Sequence, residues 1–209
     1  PLPRPAYAGD AWRGECLGGF LAVLHQANKE ASLPFTTPFD LTRYAANLVK
    51  SYQHNRPDLA KDLAPICQEL EGFWQDYHKI PLTFCHGDYH PLNIIWGENA
   101  INSVIDWEFM GTKAECYDAA NMIGCVGMDD PAHLTGPLVM TMLGVLCSHR
   151  VWSSASWEML PEFVATLRFA WLREWVVHEP LATVCQELDL IWLILDNRDL
   201  LRKRWQNAE

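Results

Sequence analysis

Apolar residues recur at helical spacing over most of this chain and at strand spacing in one short interval. Leu17, Phe20, Leu21 and Leu24 form one apolar stripe, which predicts a helix over 11–27 with Asp10 as its N-cap. Pro34 and Pro38 punctuate the loop that follows. A second helix then opens at Asp40 and carries Leu41, Tyr44, Leu48 and Tyr52. A third opens at Pro57 and Asp58, with Leu59, Leu63, Ile66, Leu70, Phe73 and Trp74 on its inner side. The texture changes at residue 82. Three short runs rich in β-branched and aromatic residues, at 82–85, 93–96 and 101–105, read as strands. The turn residues Gly97, Glu98, Asn99 and Ala100 make the last two a hairpin. Helical spacing then returns, with a short helix near Asp118 and longer ones over 132–149, 157–177 and 181–205. The pattern predicts a mostly helical α+β chain with a small β-hairpin island at 82–105 among helices. No linker divides the 209 residues into two domains.

Charge and cysteine usage narrow the setting. The net charge is −10, and no basic patch suited to nucleic acid is visible. Seven cysteines, none in a Cys-x-x-Cys pair, read as buried thiols in a reducing cytosol, so a cytoplasmic location is expected. The longest clearly apolar stretch, 137–147, is shorter than the roughly 20 residues a bilayer requires, and no signal peptide opens the chain. No membrane association is therefore expected. The first residue is Pro, not Met, and the chain is expected to begin inside a longer gene product.

The polar residues with chemical potential concentrate in the island. His86-Gly87-Asp88-Tyr89-His90-Pro91-Leu92-Asn93 links the first strand to the hairpin, and Ile105-Asp106-Trp107-Glu108 follows it. A loop between two strands can hold Asp88 and Asn93 on one side, and the hairpin returns the chain so that Asp106 approaches Asn93. Two carboxylates and an amide oxygen converging on one point are hard ligands suited to Mg²⁺, which takes few protein ligands and completes its shell with substrate phosphates. The alternating His86, Asp88 and His90 also admit a metallophosphatase. That class needs further His and Asp ligands, whereas His25, His54, His78, His133, His149 and His178 are scattered.

These segments resemble the aminoglycoside phosphotransferase and choline kinase-like family of small-molecule kinases. HGDYHPLN is similar to its catalytic loop, and IDWE to the segment of its metal-binding Asp. Residues 17–25, ending in Leu24-His25, resemble a family helix, and Tyr117-Asp118-Ala119-Ala120 resembles its Tyr-Asp-Leu-Ala segment. The match is ordered along residues 10–125. It implies a protein-kinase-like C-terminal lobe and ATP- and Mg²⁺-dependent transfer of the γ-phosphate to a small-molecule hydroxyl. It gives Asp88 the part of catalytic base, and Asn93 and Asp106 the metal. His90 falls where a phosphate-contacting Lys stands in protein kinases. His86 and Glu108 are expected to brace the loop, and Asp118 to cap the next helix or anchor the loop.

The family's N-terminal lobe, with its glycine-rich loop, strand Lys and partner Glu, has no counterpart before Asp10. Residues 1–209 are thus expected to be the C-terminal lobe alone: folded, inactive by itself, and prone to self-association through the uncovered face. The contrasting expectation is a natural binding module without catalysis. The acceptor is expected among the helices after 118. There Asp129, Asp130, Glu158, Glu162, Glu174 and Glu179 suit an amine-bearing molecule. Of the tryptophans at 152, 157, 171, 175 and 192, Trp171 and Trp175 read as core from their helical spacing.

Overall fold

The computed structural model describes residues 9–31 and 37–208. Pro34 and most of the N-terminal lead-in lie outside them. Three helices come first: α1 (Ala11–Ala31), α2 (Leu41–Asn55) and α3 (Pro57–Asp76). The carbonyl of Asp10 accepts from the Arg13 and Gly14 amides at the start of α1. At α2 the Asp40 carboxylate caps the helix, accepting from the Arg43 amide at 2.9 Å. The two-strand elements follow: β1 (Leu82–Cys85), β2 (Ile94–Trp96), β3 (Ile101–Val104) and β4 (Gly111–Ala114).

The island extends further than its hydrophobic pattern indicates. The expected hairpin is present as β2–β3, with Ile94 opposite Val104 and Ile95 opposite Ser103. A fourth strand, β4, pairs antiparallel with β1, from Leu82 opposite Ala114 to Cys85 opposite Gly111. Gly111, Thr112, Lys113 and Ala114 lack the apolar alternation of a strand, yet all four are buried. Their strand state is set by pairing and tertiary packing rather than by propensity. The two ribbons place the loop 86–93 and the turn 105–110 side by side.

The C-terminal helices are α4 (Tyr117–Asp129), α5 (Pro137–Ser148), α6 (Ser154–Glu158), α7 (Leu160–His178), α8 (Leu181–Asp196) and α9 (Arg198–Gln206). Three expected helices are broken. The segment 132–149 is a 3₁₀ turn (Pro131–Thr135) and then α5, because Gly136-Pro137 ends one element and starts the next. The segment 157–177 is divided at Met159, and 181–205 at Asn197.

Pro131–Ser148 is long and apolar enough, by composition, to cross a bilayer. The residues of its α5 portion have another use. Leu138, Val139, Met142, Leu143 and Leu146 are fully buried in the core, and α5 lies along α1 in the same direction. Gly14 and Gly18 permit this contact. A Cβ on Gly14 would meet the Leu138 carbonyl, and one on Gly18 would lie 2.7 Å from the Met142 oxygen. Gly14 and Gly18 therefore belong to helix packing. One continuous core, from Leu17 to Ala208, takes in Cys85 of β1, Tyr89 of the loop 86–93 and Ile94 of β2.

Candidate active site

The loop after β1 is held from behind by Asp118, in the first turn of α4. Its carboxylate accepts from the His86 amide at 2.7 Å and the Gly87 amide at 2.8 Å. Burial pushes the Asp118 pKa up, and the two amide bonds and the neighbouring His86 and Lys113 pull against that shift. Of the two expected parts for Asp118, anchoring the loop is the one this geometry supports. Gly87 sits at φ +88°, and a Cβ there would press on the Phe109 carbonyl carbon at 2.7 Å and on Lys113 Cε at 2.6 Å.

His86 is fully buried and bridges the two loops. Its Nδ1 accepts from the Asp88 amide at 3.2 Å, which leaves Nε2–H to donate to the Ile105 carbonyl at 2.9 Å. Trp107 packs 4.4 Å from its ring. Tyr89 fixes the loop to α1: its hydroxyl donates to the Leu17 carbonyl at 3.3 Å, and its ring stacks on Phe20 at 5.5 Å.

The bonds to Asp88 converge on one oxygen. Asn93 Nδ2 donates to Asp88 Oδ2 at 3.0 Å and to the Asp88 carbonyl at 2.9 Å. His90 Nε2 stands 3.3 Å from the same Oδ2, while His90 Nδ1 accepts from the Leu92 amide. Among the described residues nothing bonds to Oδ1, the oxygen left for an incoming proton donor. Asn93 spends its amide NH₂ on Asp88, so its Oδ1 is the atom suited to a cation. Across the hairpin the Ile105 amide donates to the Asn93 carbonyl at 3.0 Å, which brings Asp106 alongside Asn93. Asp106 is exposed and adopts φ +65°, a conformation Asp tolerates better than most residues. The Asn93 side chain thus bonds Asp88, and the backbone of Asp106 follows the residue paired with Asn93. Glu108 does not join them: it is exposed on the 107–110 turn, and no bond among the described residues braces the loop through it.

A cleft of about 210 Å³ opens at His90 and runs between α4, α7 and the start of α8. Trp171 and Trp175 line it, stacked with centroids 5.4 Å apart, and the edge of His90 meets Trp171 at 5.4 Å. Both are half-buried. Their helical spacing places them on one face, as expected of core, but that face is the wall of the cleft. Asp129 and Glu179 are its acidic residues. Other candidate acids serve elsewhere: Glu162 pairs with Arg202, Asp130 caps the 3₁₀ turn, and Glu174 faces His178. Trp152 and Trp157 pack on each other at 4.7 Å, outside the cleft. Among the described residues, no group of three or more His, Cys, Asp and Glu side chains gathers to hold a metal.

Residues 8–181 match the phosphotransferase enzyme family. The chain belongs to that family. Its fold is the kinase-like fold of solved relatives. One is a choline/ethanolamine kinase family protein from Mesorhizobium loti, with a TM-score of 0.60 and 14% identity over 92% of this chain and 66% of that one. Another is an ethanolamine kinase from Plasmodium vivax, with a TM-score of 0.59 and 16% identity over 97% and 64%. A third is aminoglycoside 2'-phosphotransferase-IIIa, solved with GDP, with a TM-score of 0.53 and 16% identity over 93% and 64%. The chain spans about two thirds of the length of each. No curated protein matches it.

Proposed function

We propose that this chain is the C-terminal lobe of an ATP-dependent phosphotransferase that moves the γ-phosphate to a hydroxyl of a small, amine-bearing molecule. In this reading the nucleotide lobe lies outside residues 1–209, and the enzyme is cytoplasmic. The carrying observation is the asymmetry at Asp88. His90 and Asn93 hold Oδ2, leaving Oδ1 to orient the acceptor hydroxyl and take its proton. Asp118 and His86 keep the loop in place while this happens.

Asn93 Oδ1 and the Asp106 carboxylate would hold Mg²⁺, and their hard-oxygen chemistry fits that ion. When bound, the metal neutralises charge on the transferring phosphoryl group. His90 stands between Asp88 and the cleft, where its ring edge meets Trp171. That position supports a part in setting the orientation of Asp88. The cleft supports an acceptor whose cationic end lies against the Trp171–Trp175 wall near Asp129 and Glu179. The exposed apolar side chains Leu92, Ile95 and Ile105 flank the loop and hairpin. They suit cover by the nucleotide lobe, and self-association where that cover is missing.

The test is an ATP-consumption screen of hydroxyl-bearing amines with the complete protein, followed by Asp88→Ala and Asp106→Asn. Asp88→Ala should lower kcat by about 10²–10⁴-fold with little change in nucleotide affinity. Asp106→Asn should weaken Mg²⁺-nucleotide binding more than Asp88→Asn does. Turnover near normal in Asp88→Ala would refute the assignment. The same lobe without any acceptor activity would be a binding module.

A further inference from the structure

Against the two cleft tryptophans lies an ion pair that the proposed chemistry does not use, with Arg168 itself reaching the cleft lining and Glu187 behind it. Arg168, on α7, is 1% exposed, and Glu187, on α8, is fully buried. They meet fork to fork: Arg168 Nε to Glu187 Oε1 at 2.5 Å, and Arg168 Nη2 to Oε2 at 2.7 Å. Buried pairs of this kind are commonly no more stabilising than apolar residues of the same shape. What this pair adds is a set of bonds to the cleft wall. Glu187 Oε2 also accepts from the indole N–H of Trp175 at 2.6 Å. The Arg168 guanidinium lies 5.5 Å from the Trp171 ring centroid, and its Nη1 reaches Cys125 Sγ at 3.7 Å. Trp171 is pinned from its other side, where its N–H donates to Asn121 Oδ1 at 2.8 Å. Gly124 admits the Arg side chain, since a Cβ there would lie 2.8 Å from Arg168 Cδ.

An indole N–H in a half-buried wall needs an acceptor, or the ring turns until it finds water. Supplying that acceptor from a charged group locked by a bidentate partner fixes the ring in one orientation. We infer that Arg168 and Glu187 are positioning residues that hold the Trp171–Trp175 wall in its stacked geometry and so set acceptor affinity. The inference rests on the reading of the cleft as the acceptor site. The pair touches neither Asp88 nor the proposed metal ligands. Its loss should therefore act on binding of the acceptor and spare nucleotide binding.

The test replaces both residues with apolar ones of similar length, Arg168→Met with Glu187→Leu, so that neither charge is left unpaired. Two readouts are taken. In the complete protein, near-ultraviolet circular dichroism reports the coupled transitions of the stacked indoles, with Trp171→Phe as the blank. In the complete enzyme, steady-state kinetics are measured with the best acceptor from the screen. The coupled signal should disappear while the far-ultraviolet spectrum stays native. The acceptor KM should rise about tenfold or more, with kcat and the ATP KM within about twofold.

A coupled signal that persists overturns the inference, whatever the screen returns. So does a parallel loss in kcat and both KM values, which marks a merely structural pair. A screen that finds no acceptor counts against the proposed function, and the spectrum then decides the inference alone. If the double variant does not fold, Arg168→Lys keeps the charge but cannot occupy both Glu187 oxygens. It should weaken the coupled signal and raise the acceptor KM, and wild-type values for both would overturn the inference.

Discussion

Replacing Gly87 with Ala tests whether the spacing of the loop 86–93 and the turn 105–110 is set by one missing side chain. At φ +88° an L-residue costs about 1–2 kcal/mol relative to Gly. The added Cβ would also press on the Phe109 carbonyl, its carbon at 2.7 Å against about 3.5 Å for carbon atoms in contact and its oxygen nearer still, so the loops must part by at least roughly 0.8 Å. Overpacking of this kind adds about 1–3 kcal/mol. The sum is a loss of about 2–5 kcal/mol, read by urea denaturation as a lower midpoint at unchanged m-value. The same separation pulls the 105–110 turn, which contains Asp106, away from the loop that carries Asp88. A displacement near 1 Å costs about 10²-fold in turnover. Gly19→Ala is the internal control. It lies in α1 rather than in a loop, and a Cβ there meets nothing within 4 Å. It should stabilise the fold by up to about 1 kcal/mol and leave activity alone. Gly87→Ala with wild-type stability and wild-type kcat/KM would refute the argument.

Two further outcomes follow from packing and burial. Gly14→Ala should destabilise by about 1–3 kcal/mol in thermal or urea unfolding, because its Cβ meets α5 backbone that cannot swing aside; a neutral effect would mean the two helices separate freely. His25 is held below its ordinary value of 6.5 by burial and by Lys29, against the opposing charge of Glu115. The unfolded chain therefore takes up the proton first, and stability present above about pH 6.5 is lost as pH falls toward the folded value. His25→Gln should flatten that loss when unfolding free energies at about pH 7.5 and about pH 5.5 are compared. An unchanged slope would assign the acid sensitivity to other groups.

The helical lobe with its β-island was legible because the apolar stripes of α1, α2 and α3 coincide with caps and breakers. Asp40 and Pro57 mark their helix starts as expected. The Asp88–Asn93 contact was legible because the short loop between strand and hairpin, on which they lie five residues apart, brings the two side chains to one side. What escaped was decided by contacts distant in sequence. β4 is a strand because β1 needs a partner, and Gly111 and Lys113 hide it. Gly136-Pro137, Met159 and Asn197 interrupt runs whose hydrophobic pattern is continuous. Trp171 and Trp175 read as core because spacing reports a shared face and not what that face meets. The one signal that could have separated them from core was the cluster of polar partners at Asn121, Arg168 and Glu187, and its members lie on three helices.

The close contact between α1 and α5 has a consequence for how the chain is made. Gly14 meets Leu138 about 120 residues later in sequence, and ribosomes add roughly 5–20 residues per second. The apolar face of α1 therefore waits about 6–24 seconds for its partner. The closing bonds come later still, when the Trp205 indole reaches the Leu134 carbonyl at 2.8 Å. During that interval Leu17 and Leu21 belong to a nascent helix that lacks its α5 partner, and such exposed apolar surface favours association. Synthesis of this lobe is thus a race between elongation and premature association, and slow codons placed before α5 would lengthen the exposure.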